Sequence, residues 1–147
     1  MSSNKYEVAL DETWELFAEH LSGARAGLVL CVGAGALGVK ARDALESSAR
    51  ALGYGEGACS FATVRDLEEN ALFVLIEGID PVCIVATDGK AAALLGQAYK
   101  CSVPSGKPTR LLGRTCVAFL DFEELLESDA DKQIAWALLK KLPKFGA

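Results

Sequence analysis

The sequence predicts one α/β domain over its 147 residues: a three-layer αβα sandwich around a four-stranded, mostly parallel, doubly wound sheet. Three observations carry this prediction. Short, continuous apolar runs recur at Leu28–Val32, Ala58–Val64, Val82–Ala86 and Thr115–Leu120, as in strands buried on both faces. Segments long enough to be helical lie between them, so that strand and helix alternate. Half the residues are apolar and 24% are charged, which suits a packed core and excludes intrinsic disorder.

Taken in order, a first helix is expected over about Asp11–Leu21, with Leu10, Trp14, Phe17 and Leu21 on one face and Gly23 as its stop. The strand Leu28–Val32 follows, then the glycine-rich turn Gly33–Gly38 and a helix to about Leu52. After the second strand, Asp66-Leu67-Glu68-Glu69 reads as an Asp-type capping box opening a helix that Gly78 closes. Asp88 is placed to cap the helix that follows the third strand and runs through Leu95. A loop with Pro104, Gly106 and Pro108 leads to the fourth strand. A helical turn near Phe122–Glu127 and a helix over about Asp131–Leu142 complete the chain.

In a doubly wound sheet, ligands bind at the carboxyl ends of the strands. That edge gathers Gly33–Gly38, Arg65, Asp66, Thr87, Asp88 and Asp121. Gly33, Gly35 and Gly38 match the G-x-G-x-x-G pattern, which lets a pyrophosphate approach a helix N-terminus. With Thr87 they are the candidate ligand-binding residues. The acid that holds a ribose in such sites belongs at the end of the second strand, about 20 residues onward. Asp66 stands farther along and is explained by capping, so a sharp strand-to-helix corner is the favoured reading of the glycines. Asp88 and Asp121 each follow a strand and are the candidate catalytic pair across the crevice. Each is also a good N-cap, and capping is the preferred role for both.

The five cysteines stand at 31, 59, 83, 101 and 116 with no short C-x-x-C spacing, so neither zinc nor an iron–sulfur cluster is expected, and no other cofactor is indicated. Cys31, Cys83 and Cys116 lie in apolar runs and are read as buried free thiols of a reducing cytosol. Met1–Leu10 lacks a signal-peptide core and no run is long enough to span a bilayer, so a cytoplasmic protein without membrane association is expected. His20, the only histidine, sits beside the first helix's apolar stripe and reads as packing.

Charge falls in blocks. Gly89–Leu120 holds five cations and no acid, and Asp121–Asp131 holds six acids and no base. The basic block suits a phosphate chain or a solvated loop. The adjoining acids and the net charge of −5 repel phosphates, so nucleic-acid binding is expected to be weak or absent.

Over Leu28–Leu142 the chain resembles the uracil-DNA glycosylase superfamily, most nearly its small bacterial and archaeal iron–sulfur branch. Asp80-Pro81-Val82-Cys83-Ile84-Val85-Ala86-Thr87-Asp88-Gly89-Lys90-Ala91-Ala92-Ala93-Leu94-Leu95 is similar to the family's P-x-V-I-V-A-L-G-x-x-A-A-x-x-L segment. Asp121-Phe122-Glu123-Glu124-Leu125-Leu126 falls where the family has its His-Pro-Ser-x-Leu-Leu loop. Lys132, Trp136, Leu139 and Lys140 follow at the family's spacing, and Val32-Gly33-Ala34-Gly35 resembles the start of its Val-Gly-Glu-Ala-Pro-Gly motif. The resemblance implies a glycosylase-like fold. It also marks departures from the active pattern: Asp121 replaces the loop histidine, Phe122 its proline, Thr63 alone stands near the uracil-reading asparagine, and the cluster cysteines have no counterparts. A carboxylate at 121 would repel a departing uracilate. The expectation is therefore a non-catalytic module binding an unspecified small molecule or protein, with a Rossmann-like nucleotide-binding domain built on Gly33–Gly38 as the alternative.

Overall fold

The order of apolar runs places four strands side by side, and the computed structural model, which describes residues 5–145, pairs them in parallel at the centre of a larger sheet. The strands are β1 (Leu21–Gly23), β2 (Val29–Gly33), β3 (Cys59–Thr63), β4 (Cys83–Ala86), β5 (Thr109–Leu111) and β6 (Arg114–Ala118), in the order β1-β3-β2-β4-β6-β5. β3, β2, β4 and β6 are parallel, while β1 and β5 run antiparallel on the two edges. The sheet is thus mixed and six-stranded, which corrects the expected count of four. The edge strands are three residues each, too short to show a periodicity. β5 and β6 are joined by a two-residue turn with φ of 50° at Leu112 and 87° at Gly113, the signs that a right-twisted hairpin requires.

The helices are α1 (Lys5–Leu16), α2 (Val39–Ala51), α3 (Glu69–Ile79), α4 (Gly89–Tyr99) and α5 (Asp129–Leu139), with a 3-10 turn at Glu124–Leu126. Alternate strand residues feed opposite faces, as pleating demands. Val29, Cys31, Cys83 and Val85 pack with Leu45 of α2 and Leu138 of α5. Leu30, Val32, Ile84 and Ala86 pack with α1, α3 and α4 through residues such as Leu10, Leu72, Ile76 and Leu95. Helices therefore cover both faces of the sheet. Among the described residues, no helix is long and apolar enough to cross a membrane. Residues 1–4 of the stretch read for a signal core lie outside the described residues.

Four local expectations are corrected. α1 begins at Lys5 and ends at Leu16, not over Asp11–Leu21, because Leu21–Gly23 pairs with β3 as an edge strand. Asp66 does not open α3: the helix starts at Glu69, and its N-cap is Glu68, without a side-chain cap. Gly78 lies within α3, which is closed instead by Asp80 in the left-handed conformation. Gly78 has a packing reason, since a Cβ there would collide with Thr13 Oγ1 of α1. α5 likewise begins at Asp129, where Ser128 caps it by accepting from Asp131 N at 3.2 Å.

Candidate functional site

The chain leaves β2 toward β3 on one side and returns to β4 on the other. The loops after β2 and β4 therefore flank the point where strand order reverses, the usual ligand crevice of such a sheet. The structure places Gly35 beside Arg65 and Gly38 beside Glu123, and sets Gly33 and Ala34 as one wall of the crevice against Thr87 and Asp88 as the other. It brings these walls together so closely that the crevice is closed by its own groups. Asp88 Oδ2 accepts from Ala34 N at 2.8 Å, and Oδ1 accepts from Ala91 N at 2.8 Å as the N-cap of α4. Thr87 is buried, and its hydroxyl donates to Val32 O at 3.3 Å. An ideal Cβ on Gly33 would stand 2.5 Å from that hydroxyl oxygen. The glycine is required by the close approach of the two loops.

Gly38 is the N-cap residue of α2 and has no capping side chain of its own. Its N–H donates instead to Glu123 Oε2 at 3.0 Å. A carboxylate of the chain thus sits where a phosphate would meet the partial positive charge of a helix N-terminus. Glu123 was not legible as a site residue, because in the sequence it is one acid among six between 121 and 131.

Asp88 and Asp121 pair through their backbones in an isolated antiparallel bridge. Gly89 N donates to Leu120 O at 3.1 Å, and Phe122 N donates to Thr87 O at 2.9 Å. Their carboxylates engage different partners: Asp121 Oδ1 accepts from the N–H of Glu124, the first residue of the 3-10 turn, at 3.2 Å. Asp88 is a helix cap and in addition the tie between two loops, whereas the N-cap position of the 3-10 turn is Glu123. Phe122, 1% exposed, turns into the core with its ring 5.0 Å from Phe119, edge to face. Leu37 packs against the same cluster.

Four cavities surround this edge. The space under Gly33, Gly35 and Leu37 is only about 30 Å³, room for one water. A polar recess of about 330 Å³ lies outside the β2 and β3 ends, between His20, Gly35, Arg65 and Asp66. A third, of about 360 Å³, separates α2 from α5 and is lined by Phe122, Lys132 and Trp136. The largest, about 600 Å³, is apolar and lies beyond β6 against α5. Trp136 and Lys132, which carry part of the family resemblance, thus face α2 and not the crevice.

The basic block is divided. Arg114 is nearly buried and is held by Glu77 Oε2 and Asp80 Oδ1, both at 2.7 Å, with Nε donating to Pro81 O at 3.0 Å. Burial pulls its pKa down, but the hydrogen bonds with Glu77 and Asp80 prevail and raise it. It ties β6 to the end of α3 and is not a free cation. Among the described residues no group of three or more His, Cys, Asp or Glu side chains could hold a metal ion. Cys31, Cys59, Cys83 and Cys116 are buried free thiols. Burial pushes Cys83 up to about 11 and Cys116 up to about 12, so both are neutral and unreactive near pH 7.

Compared with known proteins, the chain matches no protein-family model and no curated protein sequence.

Proposed function

We propose that this chain is a non-catalytic binding or interaction module built on a uracil-DNA-glycosylase-like α/β fold. The observation that carries the reading is the closed crevice: both Asp88 oxygens accept backbone N–H groups, and Glu123 occupies the N-terminus of α2. A flipped base needs an open pocket with groups free to read its edge, and here those groups bind one another. The resemblance itself rests on residues 80–95, which run from the C-cap of α3 through β4 into α4, and on Lys132, Trp136, Leu139 and Lys140 of α5 and its C-cap.

The same geometry disfavours the nucleotide-binding alternative. A pyrophosphate at Gly38 would meet the Glu123 carboxylate at hydrogen-bonding range. It would first have to displace it, at the cost of like-charge repulsion. Nucleic-acid binding is proposed to be weak or absent, since Arg114 is already paired within the fold.

The test is release of uracil from single-stranded and mismatched uracil-containing DNA by the full chain. No release above the uncatalysed background is expected. Turnover at an enzymatic rate would overturn the reading.

A further inference from the structure

The crevice being closed, the largest of the four cavities described above is the apolar groove of about 600 Å³ beyond β6. Its floor is the core itself: Ala118, Phe119 and Leu138, all buried. Its walls carry two of the most exposed large apolar side chains among the described residues, Leu120 at 76% and Ile134 at 60%. Scattered exposed leucines are ordinary, but two on one groove with a buried apolar floor form a contiguous patch of the kind that partners cover.

The rim is charged and unbalanced, with Asp121, Glu124 and Asp131 against Lys141. None of these four is fully buried. Among the described residues, the buried side-chain polar atoms without a partner are on His20 and Glu46, and neither lines the groove. A small polar ligand would thus find no inward group to orient it. An apolar trough with acidic edges instead suits a segment presenting apolar anchors along one face and basic side chains beside them, the helix-in-groove mode.

We infer that this groove is the docking site for a basic amphipathic helix of a partner protein, with Leu120 and Ile134 as the contact residues and Asp121, Glu124 and Asp131 selecting its charge. The inference rests on the interaction-module reading above and gives it a surface and a partner chemistry.

The probe is a synthetic peptide of about four helical turns, with leucine at i, i+3, i+4 and i+7 and lysine elsewhere. Its control has glutamate in place of lysine. Both are titrated into the full chain by fluorescence anisotropy near physiological salt. The Leu/Lys peptide is expected to bind and the Leu/Glu peptide not to. Ile134→Glu and Leu120→Glu, at exposed positions that leave the thermal midpoint near wild type, should each weaken binding tenfold or more. Glu124→Gln with Asp131→Asn should weaken it several-fold. Glu56→Gln with Glu68→Gln, which removes the same charge elsewhere, should leave it within twofold.

Equal binding of the two peptides, binding indifferent to both apolar variants, or equal effects of the two charge-neutralising pairs would each overturn the proposal, as would no binding at all. Uracil release by a chain that still bound the Leu/Lys peptide in this pattern would sink the non-catalytic reading and leave the groove standing.

Discussion

A methyl group added at Gly33 would stand 2.5 Å from Thr87 Oγ1 and 3.4 Å from Asp88 Oδ2, inside a junction where neither neighbour can retreat. Thr87 is 3% exposed, and Asp88 is fixed by two backbone amides. Gly33→Ala should therefore destabilise the chain by about 1–3 kcal/mol, the range for overpacking a tight core. In urea unfolding, adding Thr87→Ala should recover part of that loss, because it removes the clashing oxygen. A double variant no more stable than Gly33→Ala alone would show that the hydroxyl is not the obstacle. The two roles of Asp88 also show what a sequence can reveal at this scale. Its cap on Ala91 is three residues away and is announced by local chemistry. Its bond to Ala34 spans 54 residues and the Glu123 bond to Gly38 spans 85, and no local pattern encodes either.

Gly78 makes the corresponding point for elements. A glycine near the end of an apolar helical pattern looks like a stop, yet here it lets α1 and α3 touch, with Thr13 lying over its Cα. Alanine is usually favoured over glycine inside a helix by about 1 kcal/mol. At this site the sign should reverse, and Gly78→Ala should lower the urea midpoint because α1 must move away. Thr13→Ala should restore part of the loss, and a Gly78→Ala chain more stable than wild type would refute the contact. The elements legible beforehand were those with strong periods or continuous apolar runs: β2, β3, β4, β6 and the helices α2, α4 and α5, within a few residues at their ends. Those missed were β1 and β5. Leu21–Gly23 carries the last apolar residue of a helical stripe, and Thr109–Leu111 follows a proline-rich loop, so each becomes a strand only because a neighbouring edge is free to pair with it.

At the scale of the whole molecule, the buried thiols and phenols link stability to alkaline pH. Burial raises Cys83 to about 11 and Cys116 to about 12 and also raises Tyr54 and Tyr99, while Cys31 is raised first by its hydrogen bond with Cys59 and then by burial. Unfolded thiols release their protons near pH 9, before the folded ones do, so the unfolded state binds fewer protons across this window. Stability is then fully present below about pH 9 and is lost as pH rises through the folded values of about 11 and 12. The urea midpoint should fall between pH 8 and pH 10.5, and less steeply in Cys83→Ala; a slope unchanged in that variant would contradict the assignment. The layered α/β architecture was legible because it follows from apolar runs alone. The closed crevice was not, because it depends on which side chain fills a space that several loops share. That closure is the central claim, and native-state hydrogen exchange of single amides tests it most directly. Ala34 N–H, held by Asp88, should exchange on the order of 100-fold more slowly than Gly35 N–H, which makes no hydrogen bond among the described residues, and Asp88→Ala should abolish the difference. Ala34 and Gly35 exchanging alike in the wild-type chain would mean that the crevice is open.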